Sequence, residues 1–241
     1  MTKGEVYSNF DLFFGLTKKN GYKAGTFYSY KPTDGTGDFQ WSRGVAAYRV
    51  NQDGDSELMG INVPRVDYSL GCPQLLIQTD FDTLEDVAFN DLLDYTSDEG
   101  TIFIRCNLVF SEDIQGIVTL SDAGIFDDYL AIYNIGAGGT KKIILTTYTN
   151  PDQNDVEVVV PEDGQYNIAF AYKLSTFEYS LAINGVVEST GTFINNVPSG
   201  VNLDRFYLGK LGTSYMENSG IVGGGYIAQK LDDTSLENIT A

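Results

Sequence analysis

The sequence predicts an all-β protein in which two antiparallel sheets pack as a sandwich or close as a barrel. Nine segments between residues 100 and 231 alternate apolar with polar residues, and clusters of Gly, Asn, Asp and Pro separate them. Almost no stretch has helical periodicity. The chain has 241 residues, of which 42% are hydrophobic and 13% aromatic, so it can bury a sizeable core.

The first of these segments sets the pattern. In residues 100–110, Ile102, Ile104, Cys106 and Leu108 occupy alternate positions, so they share one face of a strand. The remaining predicted strands are GIVTLSD (116–122), YLAIYN (129–134), KIILTTYT (142–149), DVEVVVP (155–161), GQYNIAFAYKL (164–174), FEYSLAINGVVES (177–189), DRFYLGK (204–210) and GYIAQKL (225–231).

Two turns and one helix complete the predicted elements. Asn184-Gly185 lies between alternating runs and predicts a type I′ hairpin, because both central residues of that turn need positive φ. GAGGTK (136–141) predicts a second hairpin turn. DDTSLENIT predicts a late helix with Asp233 or Thr234 as N-cap and Glu237 in its first turns.

Charge divides the chain into two predicted parts. Residues 1–80 hold 8 Lys/Arg and 9 Asp/Glu, whereas residues 81–241 hold 7 and 24, and the whole chain has a net charge of −18. This distribution predicts a nearly neutral N-terminal segment suited to contact another protein, followed by an acidic sandwich; the alternative is a chance asymmetry. The acidic balance argues against nucleic acid or an anionic membrane as a direct partner.

The stretch GINVPRVDYSLGCPQLLIQ (60–78) fits neither a helix nor a central strand. Pro64 has no N–H for a ladder and therefore allows only an edge or extended strand. Arg65 and Asp67 are two residues apart, so they face one side, and Leu75 and Leu76 need a surface to bury. Two interpretations stay open: the stretch packs along the sandwich of its own chain, or it docks to another subunit or particle.

The acidic region resembles a known fold family in the order and spacing of four short motifs. They are Gly100-Thr101 at the start of a strand, Asn184-Gly185 in a hairpin, Leu208-Gly209 at a strand end, and the tail from Tyr226 to Ile239. Together they resemble the concanavalin A-like, laminin-G-type jelly-roll sandwich. The resemblance implies this fold for residues 81–241, preceded by an extended, strand- and hairpin-rich segment in residues 1–80.

Residues 37–78 contain four short motifs in order: WSRGVAAYRVN (41–51), an Asp-Gly turn (53–54), NVPRVDY (62–68) and GCPQLL (71–76). With these motifs the stretch resembles a segment of bacteriophage tail-fibre, appendage and other virion proteins. Two departures are Tyr48, where that pattern usually has Thr, and the lack of a Glu-x-x-Arg-Thr-Asn continuation after the apolar run. The resemblance implies a non-enzymatic structural protein made in the bacterial cytoplasm and located in the virion, as a capsid decoration, head fibre or tail fibre. Its expected partners are other virion proteins and itself, most plausibly as a trimer. The expected interface or anchor residues are Arg43, Arg49, Pro64, Arg65, Asp67, Tyr68, Leu75 and Leu76.

Catalytic signatures are lacking in the sequence. The chain has no histidine, and its two cysteines, Cys72 and Cys106, are far apart and predicted to be free, buried thiols. Glycosidases with sandwich folds remain the enzymatic alternative, because two carboxylates suffice for hydrolysis. The Glu-x-Asp-x-x-Glu run typical of those enzymes is missing, so we expect no catalytic residues.

A ligand loop is the remaining candidate site. Asp122, Asp127, Asp128 and Tyr129 form the densest acidic and aromatic loop, at an end of the sandwich where such folds bind glycans or calcium. We expect no cofactor and no metal, with calcium as the alternative. The alternative function is therefore a glycan-binding receptor-recognition module of a phage fibre, which contacts a host surface glycan. The only tryptophan, Trp41, lies in the anchor-like segment.

Overall fold

In the computed structural model, two antiparallel sheets face each other across one core, which confirms the predicted all-β sandwich. The structure describes residues 98–122, 127–199, 203, 205–216 and 219–241, with backbone alone at 205, 206 and 215, and the backbones of eight strands before residue 98. The strands are β1 Leu12–Thr17, β2 Thr26–Tyr30, β3 Asp38–Ser42, β4 Ala46–Val50, β5 Ser56–Gly60, β6 Arg65–Asp67, β7 Gln74–Ile77, β8 Leu84–Asp86, β9 Glu99–Leu108, β10 Gln115–Ser121, β11 Asp128–Ile135, β12 Lys141–Thr149, β13 Asp152–Val160, β14 Gly164–Lys173, β15 Glu178–Ile183, β16 Val186–Thr192, β17 Arg205–Leu208, β18 Lys210–Leu211, β19 Ser214–Tyr215 and β20 Ser219–Ile227.

The two sheets differ in size. The six-stranded sheet has the order β13-β12-β11-β10-β17-β8, and the larger sheet runs β16-β15-β14-β9-β20-β1-β2-β3-β4-β5. Strand β20 pairs with β9 along one edge, and with β7 and β1 in succession along the other. Strand β6 pairs with β7. Each of the nine predicted segments contributes a strand, and a short third sheet of β18 and β19 was not predicted.

Alternation of side chains builds the core between the sheets. Ile102, Ile104, Cys106 and Leu108 on β9 are almost fully buried in that core, as their spacing predicts. Cys106 is a free thiol, and burial raises its pKa. Cys72 lies outside the described residues. The core also takes alternate residues from both sheets, including Leu130, Ile132, Ile143, Leu145, Ile168, Phe170 and Leu181.

The C-terminal helix, α1 (Asp233–Thr240), covers the outer side of the larger sheet. Leu236 and Ile239 pack there with Phe103, Ala169 and Ala182 in a second apolar cluster. The small side chains on β14 and β15 let the helix approach the sheet closely. No helix among the described residues is long and apolar enough to cross a membrane.

The helix begins one residue earlier than the sequence predicts. Asp232, rather than Asp233 or Thr234, is the N-cap, and its carboxylate accepts a hydrogen bond from the backbone N–H of Ser235 at 2.7 Å. Hydrogen bonds from Ser235 lower the pKa of this carboxyl. Asp233 and Thr234 directly follow Asp232, and all three are residue types that cap helices, so the sequence does not distinguish among them.

We expect Asp232→Ala to lower the free energy of unfolding by about 1 kcal/mol, the usual contribution of an N-cap. Because the folded pKa of Asp232 is lowered, its contribution is present above the unfolded pKa and is lost as the pH falls through the folded value. Urea denaturation at pH 7 and in acid measures this. The difference between wild type and variant should shrink in acid; an unchanged difference would contradict the cap.

The predicted hairpin at Asn184-Gly185 is confirmed. Asn184 has φ 50° and Gly185 has φ 84°, the positive values that a type I′ turn requires. The turn joins β15 to β16 as antiparallel neighbours. The second predicted hairpin, at residues 136–141, joins β11 to β12 and contains a single 3₁₀ turn at Ala137–Gly139.

Candidate functional site

Five of the eight predicted anchor residues lie on strands where only the backbone is described. Arg49 on β4 lies opposite Glu57 on β5, while Arg65 and Asp67 on β6 lie opposite Leu76 and Gln74 on β7. Leu75 and Leu76 also lie opposite Ile221 and Gly220 on β20. These registers join the anchor-like segment to the larger sheet of the sandwich. Three further predicted anchor residues, Arg43, Pro64 and Tyr68, lie outside the described residues.

The four residues of the predicted ligand loop lie where β10 ends and β11 begins. The backbone N–H of Asp122 donates to the carbonyl of Asp128 at 3.0 Å, and the N–H of Asn150 donates to the carbonyl of Asp127 at 3.1 Å. The carboxylate of Asp128 accepts the Thr149 hydroxyl. Where side chains are described, no three His, Cys, Asp or Glu residues come together as a metal site. The ligand loop as a whole stays a prediction.

Tyr129, the last residue of that loop, belongs instead to the outer face of the six-stranded sheet. Leu130 and Ile132 point into the core, so their alternate neighbours on β11 point outward. The same rule applied to β12, and the strand registers, place the outward residues in three rows across the sheet. These rows are Gln153, Tyr148, Tyr129 and Ser121; then Asp155, Thr146, Ala131 and Thr119; then Glu157, Ile144 and Tyr133.

Tyrosines occupy the first and third rows. Tyr129 and Tyr148 face each other across neighbouring strands with ring centroids 5.2 Å apart and planes 19° from parallel. Both are half-buried. Tyr133 lies four residues along β11 and is 7% exposed. Since a strand rises about 3.3 Å per residue, about 13 Å separates the Cα atoms of Tyr129 and Tyr133.

The middle row is lined by small side chains. Ala131 is 0% and Thr146 1% exposed, although both point away from the core between the sheets. Both side chains are therefore covered by other parts of the molecule. Among the described residues, the Thr146 hydroxyl has no hydrogen-bond partner. A buried hydroxyl in that condition costs about 1–3 kcal/mol.

Two carboxylates stand at the ends of the second and third rows, on the outermost strand, β13. Asp155 is exposed, lies opposite Thr146, and accepts from the Gln153 amide at 3.0 and 2.9 Å, one bond to each oxygen. Glu157 is exposed and bonds to Lys142 Nζ at 2.6 Å. Burial raises the pKa of the Tyr129 and Tyr133 phenols, and the negative charge of Asp155 raises both further. Asp155 therefore acts electrostatically on the tyrosine rows.

The hairpin of β18 and β19 lies at the other edge of this face, next to β10 and away from β13. Thr119 donates its hydroxyl proton to the carbonyl of Lys210 at 2.6 Å. Gly116 leaves room for the hairpin, because a Cβ there would come within 2.3 Å of the Leu211 nitrogen. Lys210 Nζ lies 5.5 Å from the centre of the Tyr207 ring. The hairpin thus borders the face on the β10 side.

We call this arrangement the tyrosine face, defined by Tyr129, Ala131, Tyr133, Thr146, Tyr148 and Asp155. Tyr129 and Tyr148 give it half-buried ring surface and Asp155 an exposed carboxylate, beside a buried row of small side chains. Of these six residues, only Tyr129 is among the site residues predicted from the sequence. The signal was present, since Tyr129 and Tyr133 stand an even number of residues apart on one strand.

Comparisons with known proteins identify the fold and no family. No family model matches the chain, and no curated protein matches it in sequence. The CBM40 of Ruminococcus gnavus IT-sialidase bound to α2,3-sialyllactose is 18% identical, with a TM-score of 0.50 over 61% of this chain and 84% of that one. Leech intramolecular trans-sialidase is 16% identical, with a TM-score of 0.50 over 62% of this chain and 24% of that one.

A third solved structure is similar over almost the whole chain. The binding domain of botulinum neurotoxin serotype G is 10% identical, with a TM-score of 0.60 over 96% of this chain and 50% of that domain. At such identities the likeness extends to the fold alone. These comparisons agree with the predicted sandwich of the concanavalin A-like type.

Proposed function

We propose that this protein is a non-catalytic glycan-binding module and that the tyrosine face is its binding site. The observation that carries the proposal is the stacked, half-buried pair Tyr129 and Tyr148 beside the exposed carboxylate of Asp155. Sugars present C–H groups that pack on aromatic rings and hydroxyls that seek polar partners. One sugar against the two rings and the Asp155 carboxylate would meet both.

The fold likeness supports the same function. The Ruminococcus gnavus module has a similar sandwich and was solved with a bound oligosaccharide. In this chain, the half-buried rings of Tyr129 and Tyr148 lie beside the exposed carboxylate of Asp155. Aromatic side chains beside a few polar groups are typical of binding surfaces.

The two carboxylates of β13 are better suited to binding than to hydrolysis. Hydrolysis needs one carboxylic acid that stays protonated, usually in apolar surroundings. Glu157 instead bonds to Lys142, and Asp155 bonds to the Gln153 amide. Neither has the surroundings of a catalytic acid, so we propose that the protein binds and releases glycans without cleaving them.

A glycan array with the full-length protein tests this proposal. We expect binding to a subset of oligosaccharides with dissociation constants in the micromolar to millimolar range, and no release of reducing sugar from the glycans that bind. Isothermal titration would then give the affinities. Absence of binding to every oligosaccharide at millimolar concentration would overturn the proposed function.

We propose, as the setting of this module, the phage virion that the resemblance of residues 37–78 implies. The strand pairing of β6 with β7, and of β7 with β20, joins that segment to the sandwich. In this proposal the segment carries the module on a fibre or capsid, and the sandwich projects outward toward host glycans. A virion map that places the chain outside the particle would overturn it.

We expect the intact protein to form a small oligomer, most plausibly a trimer, if residues 37–78 associate with their own copies. Light scattering coupled to size-exclusion chromatography measures the mass directly. The expected mass is three times the 26.5 kDa of one chain. A single monomeric species would contradict self-association and leave attachment to a different virion protein.

A further inference from the structure

We infer that the tyrosine face binds neutral sugars in preference to sialylated ones, with Asp155 contacting the sugar hydroxyls. The inference rests on the proposed function and adds the class of ligand. It also separates this chain from the CBM40 structure of similar fold, whose ligand carries sialic acid. Two features of the face, as far as its side chains are described, support it: an oriented, exposed carboxylate, and neighbouring cations that are already engaged.

The carboxylate of Asp155 is held in a fixed direction. Gln153, two residues earlier and therefore on the same face of β13, donates its amide to both Asp155 oxygens at 3.0 and 2.9 Å. An ionised carboxylate has about four acceptor positions, so each oxygen can still accept from a ligand. Neighbouring sugar hydroxyls can donate to the two oxygens together, and such charge-assisted bonds are stronger than neutral ones.

Thr146 lies opposite Asp155 on the adjacent strand. Its hydroxyl is buried and unpaired among the described residues. Thr146 is 1% exposed, so a sugar at this point contacts the exposed Asp155 carboxylate rather than the Thr146 oxygen. A neutral sugar therefore meets a hydrogen-bond acceptor here without placing a second negative charge beside it.

An anionic sugar would be repelled at this face. Lys142 is paired with Glu157 at 2.6 Å, and Lys210 Nζ lies over the Tyr207 ring at 5.5 Å. At the outward positions of the described strands of this sheet, the other basic residue is Arg205 on β17, which is four strands from Asp155, or about 19 Å. A sialic carboxylate on this face would lie nearer to Asp155 than to any unengaged cation among the described residues, and the chain carries a net charge of −18.

Matched pairs of neutral and sialylated oligosaccharides, beginning with lactose and α2,3-sialyllactose, test the inference by titration on the full-length protein. We expect the neutral member to bind at least about tenfold more tightly at low ionic strength, with a smaller ratio at high salt because charge repulsion is screened. Asp155→Asn removes the charge and keeps the shape. It should weaken neutral binding about tenfold and reduce the preference.

Asp233→Asn is the matched control, because it removes one exposed carboxylate from the helix on the other sheet. Its affinities and preference should equal those of the wild type. Equal or tighter binding of the sialylated members would overturn the inference while the proposed function stands. Unchanged affinities in Asp155→Asn would also overturn it. Binding of neither member, together with an empty glycan array, would reject the proposed function itself.

Discussion

Replacing Tyr148 by Ala is expected to weaken glycan binding by at least about tenfold, or about 1.4 kcal/mol. The ring of Tyr148 stacks on Tyr129 at 5.2 Å, so its removal takes away one wall of the site and leaves the second ring without its partner. Aromatic pairs contribute about 0.5–1.5 kcal/mol beyond the area they bury, and contacts with the sugar add to this. Titration with the oligosaccharide that binds most tightly on the array measures the loss.

Tyr148→Phe separates the ring from its hydroxyl. It keeps the stacked pair and should retain wild-type affinity within about threefold, because the proposed contact with the sugar uses the ring of Tyr148 and not its hydroxyl. Circular dichroism and thermal melting should show both variants folded, because Tyr148 is only half-buried and lies outside the two core clusters. Wild-type affinity in Tyr148→Ala would place the binding site elsewhere on the molecule.

Much of the sandwich could be predicted because short stretches of the sequence specify its strands and turns. On β9, one period-two run specifies the strand and the face that enters the core between the sheets, with Ile102, Ile104 and Cys106. The opposite face of β9 is also buried, as at Phe103, which packs with the C-terminal helix. The turn at Asn184-Gly185 is encoded by residues that tolerate positive φ. Strand boundaries shifted by a few residues where the alternation continues into a turn, as at the start of β13.

The β18–β19 hairpin could not be predicted, because its cause lies far along the chain. DRFYLGK (204–210) has the alternation of a single strand, yet the strand ends at Leu208, and Gly209 adopts φ 77°. The N–H of Gly209 donates to the carbonyl of Ile117 at 2.8 Å. That contact joins positions about ninety residues apart, which no local pattern contains.

The candidate site depends on register, which the sequence leaves open. Tyr129 and Tyr133 share a face by spacing alone, but the position of Tyr148 beside Tyr129 depends on how β12 returns after the turn at residues 136–141. A shift of one residue would turn Tyr148 into the core. The concentration of acidic residues therefore predicts a site in the Asp122–Tyr129 loop, whereas the tyrosine face can be recognised only once the strand pairing is known.

Replacing Gly116 by Ala is expected to lower the free energy of unfolding by about 3 kcal/mol, at the upper end of the usual cost of overpacking. A Cβ at this position would come within 2.3 Å of the backbone nitrogen of Leu211 and of the carbonyl carbon of Lys210. Backbone atoms cannot turn aside as a flexible side chain can. The hairpin must therefore move away from β10, and the bond from Thr119 to Lys210 is lost with it.

Because the hairpin borders the tyrosine face, the same variant should also weaken glycan binding, in contrast to a purely structural position. Gly191→Ala is the matched control: it lies on the exposed edge strand β16, where a Cβ would meet only the end of Tyr179, at 3.2 Å. We expect a change below about 1 kcal/mol there and unchanged affinity. Urea denaturation and titration of both variants distinguish these outcomes. Gly116→Ala with wild-type stability would show that the hairpin is free to leave β10, and its role as a border of the site would then be wrong.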